Sequence, residues 1–346
     1  MFVQYFCVIT LDKSEKMCYT IITVRKEIVT EKQVKKQWKT EVVKMTNREA
    51  TWARIGADVR NATTLDEVMQ IANLDYEVHT EPIQTASGII IPQKCATVKD
   101  NGTPIGVVSD SYEILQNRDA FDFVSDIPNM KFEKAGETKS GMIYLIGKLP
   151  DTTVLGDTFT PHVIFQTSHN GRYNLRATIC PLRIVCQNQF AYSFKQMRNT
   201  IDIRHSAKMP EKVAQARTLI RDTATYMQGF TDTAEELAML KLRNGDSIYA
   251  IIDAFFDSTK EITERQKKAI EAQRSAFITA YKADDNANFT GTAWGVVNAF
   301  SDFTSHKEPG KKMKDTTTQL ERQFMAVTFD TNLVKLMQCI RANVAA

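Results

Sequence analysis

The apolar residues of this chain change their spacing part-way along it, and that change limits the fold more than any single motif. Up to about residue 183, segments such as YEVHTEPIQ, GIIIPQKCATVKD, TPIGVVSDSYEIL and KFEKAGETKSGMIYLIGKLP alternate, or run apolar for a few positions, as strands do. Beyond Pro210, itself well placed at a first helical position, apolar residues recur every third or fourth position, as in Val213, Ala216, Ile220, Ala224 and Met227. Strands first and helices afterwards is the order of an α+β protein, not the βαβ alternation of a doubly wound sheet. The expected architecture is an antiparallel β-sheet with packed helices, followed by a helical C-terminal half.

Local signals sharpen this outline. Asp100-Asn101-Gly102 and Thr138-Lys139-Ser140-Gly141 are hairpin turns. Thr64 caps a helix with acids in its first turn and an apolar face of Val68, Ile71, Ala72 and Leu74. A second helix opens at Asn117-Arg118-Asp119 and turns Phe121, Val124 and Ile127 inward. Farther on, the stripe ending at Met227 is expected to stop near Gly229. ITERQKKAIEAQRSAFITAYK carries Thr263 and Gln266 at capping-box spacing, a Glu264–Lys268 pair and an inner face of Ile270, Phe277 and Tyr281. AWGVVNAFSDF reads as a buried helix, and the last helix presents Leu333, Leu336, Met337 and Ile340.

Residues 1–44 read as an N-terminal extension, a hairpin of MFVQYFCVIT and MCYTIITV followed by a basic segment; Met45 is an alternative start of the protein. The sheet region is then 45–209 and the helical region, packed on it, 210–346. Six scattered cysteines suit reduced thiols in a cytoplasm. No apolar run approaches the ~18 residues that cross a bilayer, and the apolar opening lacks the flanks of a secretory signal.

Charge is concentrated. From Gly171 to Arg221 ten Lys or Arg face only Asp202 and Glu211, a local +8 in a chain whose net charge is +3. Alternation from Gly171 to Cys180 sets Arg172, Asn174, Arg176 and Thr178 on one strand face and Tyr173, Leu175, Ala177 and Ile179 on the other. Arg183 projects opposite to Leu182 and Ile184. In a helix from about Gln187, Lys195 and Arg198 share one face and Phe190, Phe194 and Met197 another. Nucleic-acid binding needs cations that replace counterions along phosphates, and aromatic faces help with single strands. Arginines outnumber lysines seven to three in this block, which suits bidentate phosphate contacts.

Other chemistry finds less support. Neither G-x-x-x-x-G-K-[ST] nor G-x-G-x-x-G occurs, so no nucleotide cofactor is expected. His169, Cys180 and Cys186 do not have zinc spacing, and buried structural thiols are the better reading. No nucleophile elbow accompanies Ser168-His169, Cys186 or His205. Asp284-Asp285 reads as a solvated turn. His169-Asn170-Gly171 is a turn by its own chemistry, and its functional reading puts His169 and Arg172 at a loop tip beside a phosphate or base. No catalytic residue, metal site or cofactor is assigned.

Several blocks, in order, resemble the phage- and plasmid-encoded family known as domain of unknown function 932: LDYEVHTEPIQT, GIIIPQKCATV, IGVVSDSYEILQNRDAFDF, FQTSHNGRYNLRATICPLRIVCQN, IRHS and TAWGVVNAFSDF. The resemblance runs from about Thr51 to near the C-terminus and does not reach residues 1–44. It implies a mobile-element protein of the cytoplasm and assigns no activity. The element order is similar in outline to single-strand annealing proteins of the Erf and Rad type, a likeness of fold alone.

The expectation is a non-enzymatic nucleic-acid-binding protein, binding or annealing single-stranded DNA in recombination or replication. The candidate contacts are Arg172, Arg176, Arg183, Lys195, Arg198, Arg204, Lys208, His169 and Tyr173. Annealing proteins commonly form rings, which makes a homo-oligomer a candidate assembly, although no residue of the sequence sets the oligomeric state. The alternatives are a protein-binding inhibitor of a host defence system and a DNA-processing nuclease.

Overall fold

The computed structural model describes residues 5–11, 17–23, 55–122, 124, 127–183, 188–189, 200–206, 209, 213, 223–257, 262–305 and 332–344. The chain divides into two compact units, Met1–Arg48 and Glu49–Ala346. In the first, β1 (Tyr5–Leu11) and β2 (Met17–Thr23) form the expected antiparallel hairpin, with Val8 opposite Thr20.

The second unit is α+β, as the order of periodicities requires. Its larger sheet contains β3 (Ala57–Asp58), β7 (Lys131–Glu137), β8 (Met142–Lys148), β9 (Thr152–Val154), β10 (Asp157–Ser168), β11 (Leu175–Arg183), β12 (Asn188–Gln189) and β13 (Thr200–Ile203). The strands run in the order β12-β11-β10-β8-β7-β3, with β9 beside β10 and β13 beside β11. Every pairing is antiparallel. A smaller sheet has the order β4-β5-β6, from β4 (Val78–Gln84), β5 (Ile90–Lys99) and β6 (Pro104–Ser109). Both turns expected from Asp100-Asn101-Gly102 and Thr138–Gly141 join strands as anticipated, β5 to β6 and β7 to β8.

Two short helices serve the sheet region. In α1 (Leu65–Ile71), Thr64 accepts from the Glu67 N–H and Glu67 reaches back to the cap, a complete capping box. Val68 and Leu74 are buried and Ala72 packs against them, as expected, whereas Ile71 is exposed and Met69 takes its place in the core. In α2 (Asn117–Phe121), Phe121 is buried, as are Val124 and Ile127 beyond it.

Helices then follow to the end: α3 (Thr223–Met239), α4 (Ser247–Phe256), α5 (Glu264–Tyr281), the 3₁₀ turn Asp284–Phe289, α6 (Ala293–Ser305) and α7 (Asn332–Arg341). Gly229 does not stop α3. Tyr226, Phe230, Ala234 and Leu237 keep a buried stripe running through it, and that burial outweighs the ~1 kcal/mol a mid-helix glycine costs. Thr263 and Gln266 form the expected capping box, but Glu264 pairs with Lys267, at 2.7 Å, rather than Lys268. Helix α6 is buried along nearly its whole length.

The sheet's interior strands are covered on both faces. Val163 and Phe165 of β10, Ile143 and Leu145 of β8 and Ala177 of β11 share one face, where they pack with Val68, Met69 and Phe121. Along the same face, Phe159 and Ile179 meet the helical core of Phe230, Trp294 and Phe300. Met142, Tyr144, Ile146, Ile164, Cys180 and Leu182 line the opposite face with Ile55. Burial on both sides explains why β8 and β10 read as near-continuous apolar runs.

Candidate nucleic-acid interface

Three turns meet at one end of the larger sheet: those joining β5 to β6, β7 to β8, and β10 to β11. Asn170 ties the last two to each other and to β6. Its Nδ2 donates to the Ser140 carbonyl at 2.8 Å, and its Oδ1 accepts the Arg172 N–H at 3.1 Å. A Cβ on Gly106 would stand 2.8 Å from the Asn170 Cβ, and one on Gly141 would run into its Nδ2. Glycine at both positions is what lets Asn170 sit between β6 and the β7–β8 turn. Tyr173 adds a second tie, its hydroxyl hydrogen-bonded to Ser140 Oγ at 2.9 Å. The His-Asn-Gly turn therefore fastens the β7–β8 turn and strand β6 to the end of β10.

Between these loops lies a cleft of about 510 Å³. It is lined by Pro104, Ile105 and Val107 of β6, by Thr138, Lys139 and Ser140 of the β7–β8 turn, and by Lys99, Glu137, Asn170 and Arg172. Pairing passes from Thr97–Gly106 to Val98–Pro104, which leaves Ile105 as an unopposed bulge residue. Glu137 is locally compensated: its Oε2 accepts from Lys99 Nζ at 3.2 Å and from the Tyr76 hydroxyl at 3.1 Å. Lys99 also lies 3.6 Å above the Tyr76 ring. Burial, and then the Glu137 charge, push the Tyr76 phenol up, so it stays a neutral donor. Lys99, Lys139 and Arg172 line the cleft with Glu137, and Lys99 is the cation committed to that carboxylate.

Arg172 lies in the exposed β10–β11 turn, because β11 starts only at Leu175. Among the described residues no carboxylate pairs with its guanidinium. Arg176 is placed differently: it lies within β11, half-buried, and its Nε donates to Asp202 Oδ2 of β13 at 2.9 Å. The expected side-by-side pair of arginines is therefore corrected, since the alternation of residues 171–174 belongs to a turn and not to the strand. Arg204 is exposed, and the Leu175–Ile203 pairing sets it opposite Asn174, at the Arg172 end of the sheet. Arg183 closes β11 at the other end, opposite Phe159 and Asn188. Lys195, Arg198 and Lys208 lie outside the described residues. Asn188–Gln189 form β12, where the expected helix was to begin.

His169 faces inward and not outward at a loop tip, being only 1% exposed. Asn117 Nδ2 donates to the Leu74 carbonyl at 2.9 Å, which leaves its Oδ1 to accept from His169 Nε2, also at 2.9 Å. Burial, helped by His205 and Lys99, pushes the His169 imidazole down to about 4, so the ring is neutral near pH 7. Thr97 Oγ1 donates to its carbonyl at 2.7 Å, tying β5 to the end of β10. His205 stacks on Tyr112 with ring centroids 4.8 Å apart, and the Tyr112 hydroxyl donates to the Ser168 carbonyl at 2.7 Å. These contacts hold the smaller sheet against the larger one.

The sequence reading missed Lys99, Glu137, Lys139 and the β6 wall. Both turns flanking them were legible as turns, but nothing local says that they meet. Cys180 is buried in the apolar cluster under the sheet, which fits a structural thiol. Among the described residues, no group of three His, Cys, Asp or Glu side chains is placed to hold a metal, and no helix is long and apolar enough to cross a membrane.

Neither a curated protein nor a solved structure matches the chain. A family model does match, over residues 104–325, a span shorter than the sequence blocks suggested. The chain belongs to the family of that model, the domain of unknown function DUF932.

Proposed function

We propose that this chain is a non-enzymatic nucleic-acid-binding protein of a phage or plasmid. It binds or anneals single-stranded DNA during recombination or replication, in the cytoplasm of the host and as a homo-oligomer. The observation that carries this reading is Arg172, exposed and with no carboxylate partner among the described residues, in a turn whose backbone Asn170 ties down beside a cleft lined by Lys99 and Lys139. Arg204 adds a second exposed cation at the same end of the sheet. Exposed cations carried on one end of a sheet are suited to replacing counterions along a phosphate backbone. Tyr173 spends its hydroxyl on Ser140, so it positions the turn and the cations act on the strand.

Fluorescence anisotropy with labelled single- and double-stranded oligonucleotides at several salt concentrations, with particle mass measured alongside, tests this. Expected are tighter binding of the single strand, little sequence preference and a steep fall of affinity with salt. Arg172→Glu combined with Arg204→Glu should abolish most of that binding. Unchanged affinity in the double variant, or a monomer with no affinity for either strand, would sink the reading.

One observation favours a second reading, a protein-binding inhibitor of a host defence system. Ile89, Ile90 and Ile91 are exposed side chains at the tip of the β4–β5 hairpin, where an apolar surface suits a protein partner. Association with one purified host protein that survives nuclease treatment and is lost in Ile90→Asp would support it over DNA binding.

A further inference from the structure

Asparagine followed by glycine is the pair most open to spontaneous loss of ammonia, because no Cβ on the second residue screens its backbone nitrogen from the asparagine side chain. The chain has three such pairs, Asn101–Gly102, Asn170–Gly171 and Asn244–Gly245. Asn101 and Asn244 are exposed, and among the described residues their side chains bond only inside their own turns. Asn101 Oδ1 accepts the Thr103 N–H at 3.0 Å, and Asn244 Oδ1 accepts from the Asp246 N–H at 3.0 Å and from Ser247 Oγ at 3.1 Å. A Cβ on Gly102 or Gly245 would meet open space. Asn170 stands apart. Its Nδ2 is held by the Ser140 carbonyl of another turn, and its Cβ lies where Gly106 leaves room for it. Thr97 Oγ1 on the His169 carbonyl and the Tyr173 hydroxyl on Ser140 Oγ restrain the same turn.

We infer that Asn170–Gly171 is a deamidation site that the junction of the two sheets keeps closed, and whose conversion leaves that junction loose. The Gly171 nitrogen gives its proton to solvent base and bonds to Asn170 Cγ; the Cγ–Nδ2 bond then breaks, and Nδ2 takes a proton from water and leaves as ammonia. Water opens the resulting five-membered imide at either carbonyl, giving aspartate or isoaspartate. In sum, one amide and one water become one carboxylic acid and ammonia. Nδ2 must give up its bond to the Ser140 carbonyl before it departs, so the step waits for the turn to detach locally. Aspartate then puts an acceptor where that donor stood, facing the Ser140 carbonyl. Isoaspartate routes the backbone through the former side chain and removes the group outright. Neither product restores the tie. The inference needs only the junction and stands without the nucleic-acid reading.

The experiment is peptide mapping by mass spectrometry of the whole chain kept folded in mildly alkaline buffer, with the same chain in urea as reference. In urea the three pairs should convert at similar rates. In the folded chain Asn170 should convert at least about tenfold more slowly than Asn101 and Asn244, which serve as internal references. Thr97→Val and Tyr173→Phe each remove one hydrogen bond from the junction and should speed Asn170 alone, by about two- to tenfold. A variant that unfolds would bring all three to the rates seen in urea, so the ratio of Asn170 to Asn244 conversion separates loosening from unfolding. Conversion of Asn170 as fast as that of the exposed pairs, or an unchanged ratio in both variants, overturns the gate. Chain enriched in the converted form, and the variant Asn170→Asp, should show faster amide exchange across β6 and the β7–β8 turn. Exchange as slow as in the unconverted chain overturns the loosening.

Discussion

The two sheets of the second unit carry similar strand signals and bury them very differently. In β8 every residue from Met142 to Gly147 is buried, and in β10 every residue from Phe159 onward is. In β4 only Val78 is buried, and in β5 only Thr97 and Val98. Yet GIIIP at the start of β5 is as apolar as any stretch of β10, and Ile89 and Ile90 are 67% and 63% exposed. Hydrophobic content sets what a strand can bury; the layers stacked on it decide what it does bury. The larger sheet has helices over one face and a packed cluster on the other, whereas the smaller sheet touches the rest of the unit mainly through its Thr97–Val98 end, Tyr112 and the Asn170 turn.

Truncation tests this contrast most strongly. Phe165→Ala removes a fully buried ring from the larger sheet and should cost about 3–5 kcal/mol in urea unfolding. Ile90→Ala removes a smaller apolar group at the exposed hairpin tip and should stay within about 0.5 kcal/mol, well below what the loss of a buried isoleucine costs. Comparable losses at the two sites would mean that the smaller sheet has a covering partner in solution.

The junction of the sheets should respond to acid. His169 is neutral when folded, its imidazole held down to about 4 against 6.5 when free. Between those values the unfolded chain binds a proton that the folded chain refuses, so stability is full above about pH 6.5 and falls as the pH drops toward 4. The loss approaches about 3 kcal/mol at the acid end of that window. Glu133 acts in the same direction at lower pH. Burial alone would raise it, but its contact with His162 and the charges of Lys148 and Arg60 prevail and hold it below the usual range. Unfolding free energy measured from pH 7 to pH 4 should therefore fall more steeply in the wild type than in His169→Gln, by at most one proton's slope. Equal slopes would remove His169 as the acid-sensitive group.

Asn170→Ala should loosen the smaller sheet without opening the larger one. It leaves the Ser140 carbonyl and the Arg172 N–H without their partner and should cost about 1–3 kcal/mol. Amide exchange should accelerate across β6 and the β7–β8 turn and stay slow in β10. Uniform acceleration would show that Asn170 supports the whole unit and not the junction.

The α+β class, the Thr64 N-cap, the Thr263–Gln266 capping box, the turns at 100–102 and 138–141 and the buried helix at Ala293–Ser305 were legible because each is written in contiguous residues. The cleft was not. Ile105, Lys139 and Arg172 stand in three segments that only the packing of Asn170 against Gly106 and Gly141 brings together. His169 misled for a related reason: its turn neighbours suggested exposure, while Asn117, fifty-two residues earlier, supplies the partner that keeps it inside.

Arg172 and Arg176 bring the smallest effect and the sharpest use of the comparison, since one strand-and-turn segment presents both. Period-two spacing makes them equivalent, but β13 brings Asp202 to Arg176 alone. An exposed or half-exposed ion pair contributes about 0–1 kcal/mol, so Arg176→Gln should lower stability by no more than that, and Arg172→Gln hardly at all. On nucleic acid the order reverses. A cation already committed to a carboxylate releases few counterions, whereas an unpaired one replaces about one, so Arg172→Gln should reduce the salt slope of oligonucleotide binding by about 1 and Arg176→Gln by much less. Equal slopes for the two variants would mean that Asp202 yields Arg176 to the strand, and the interface would then extend from the turn along β11.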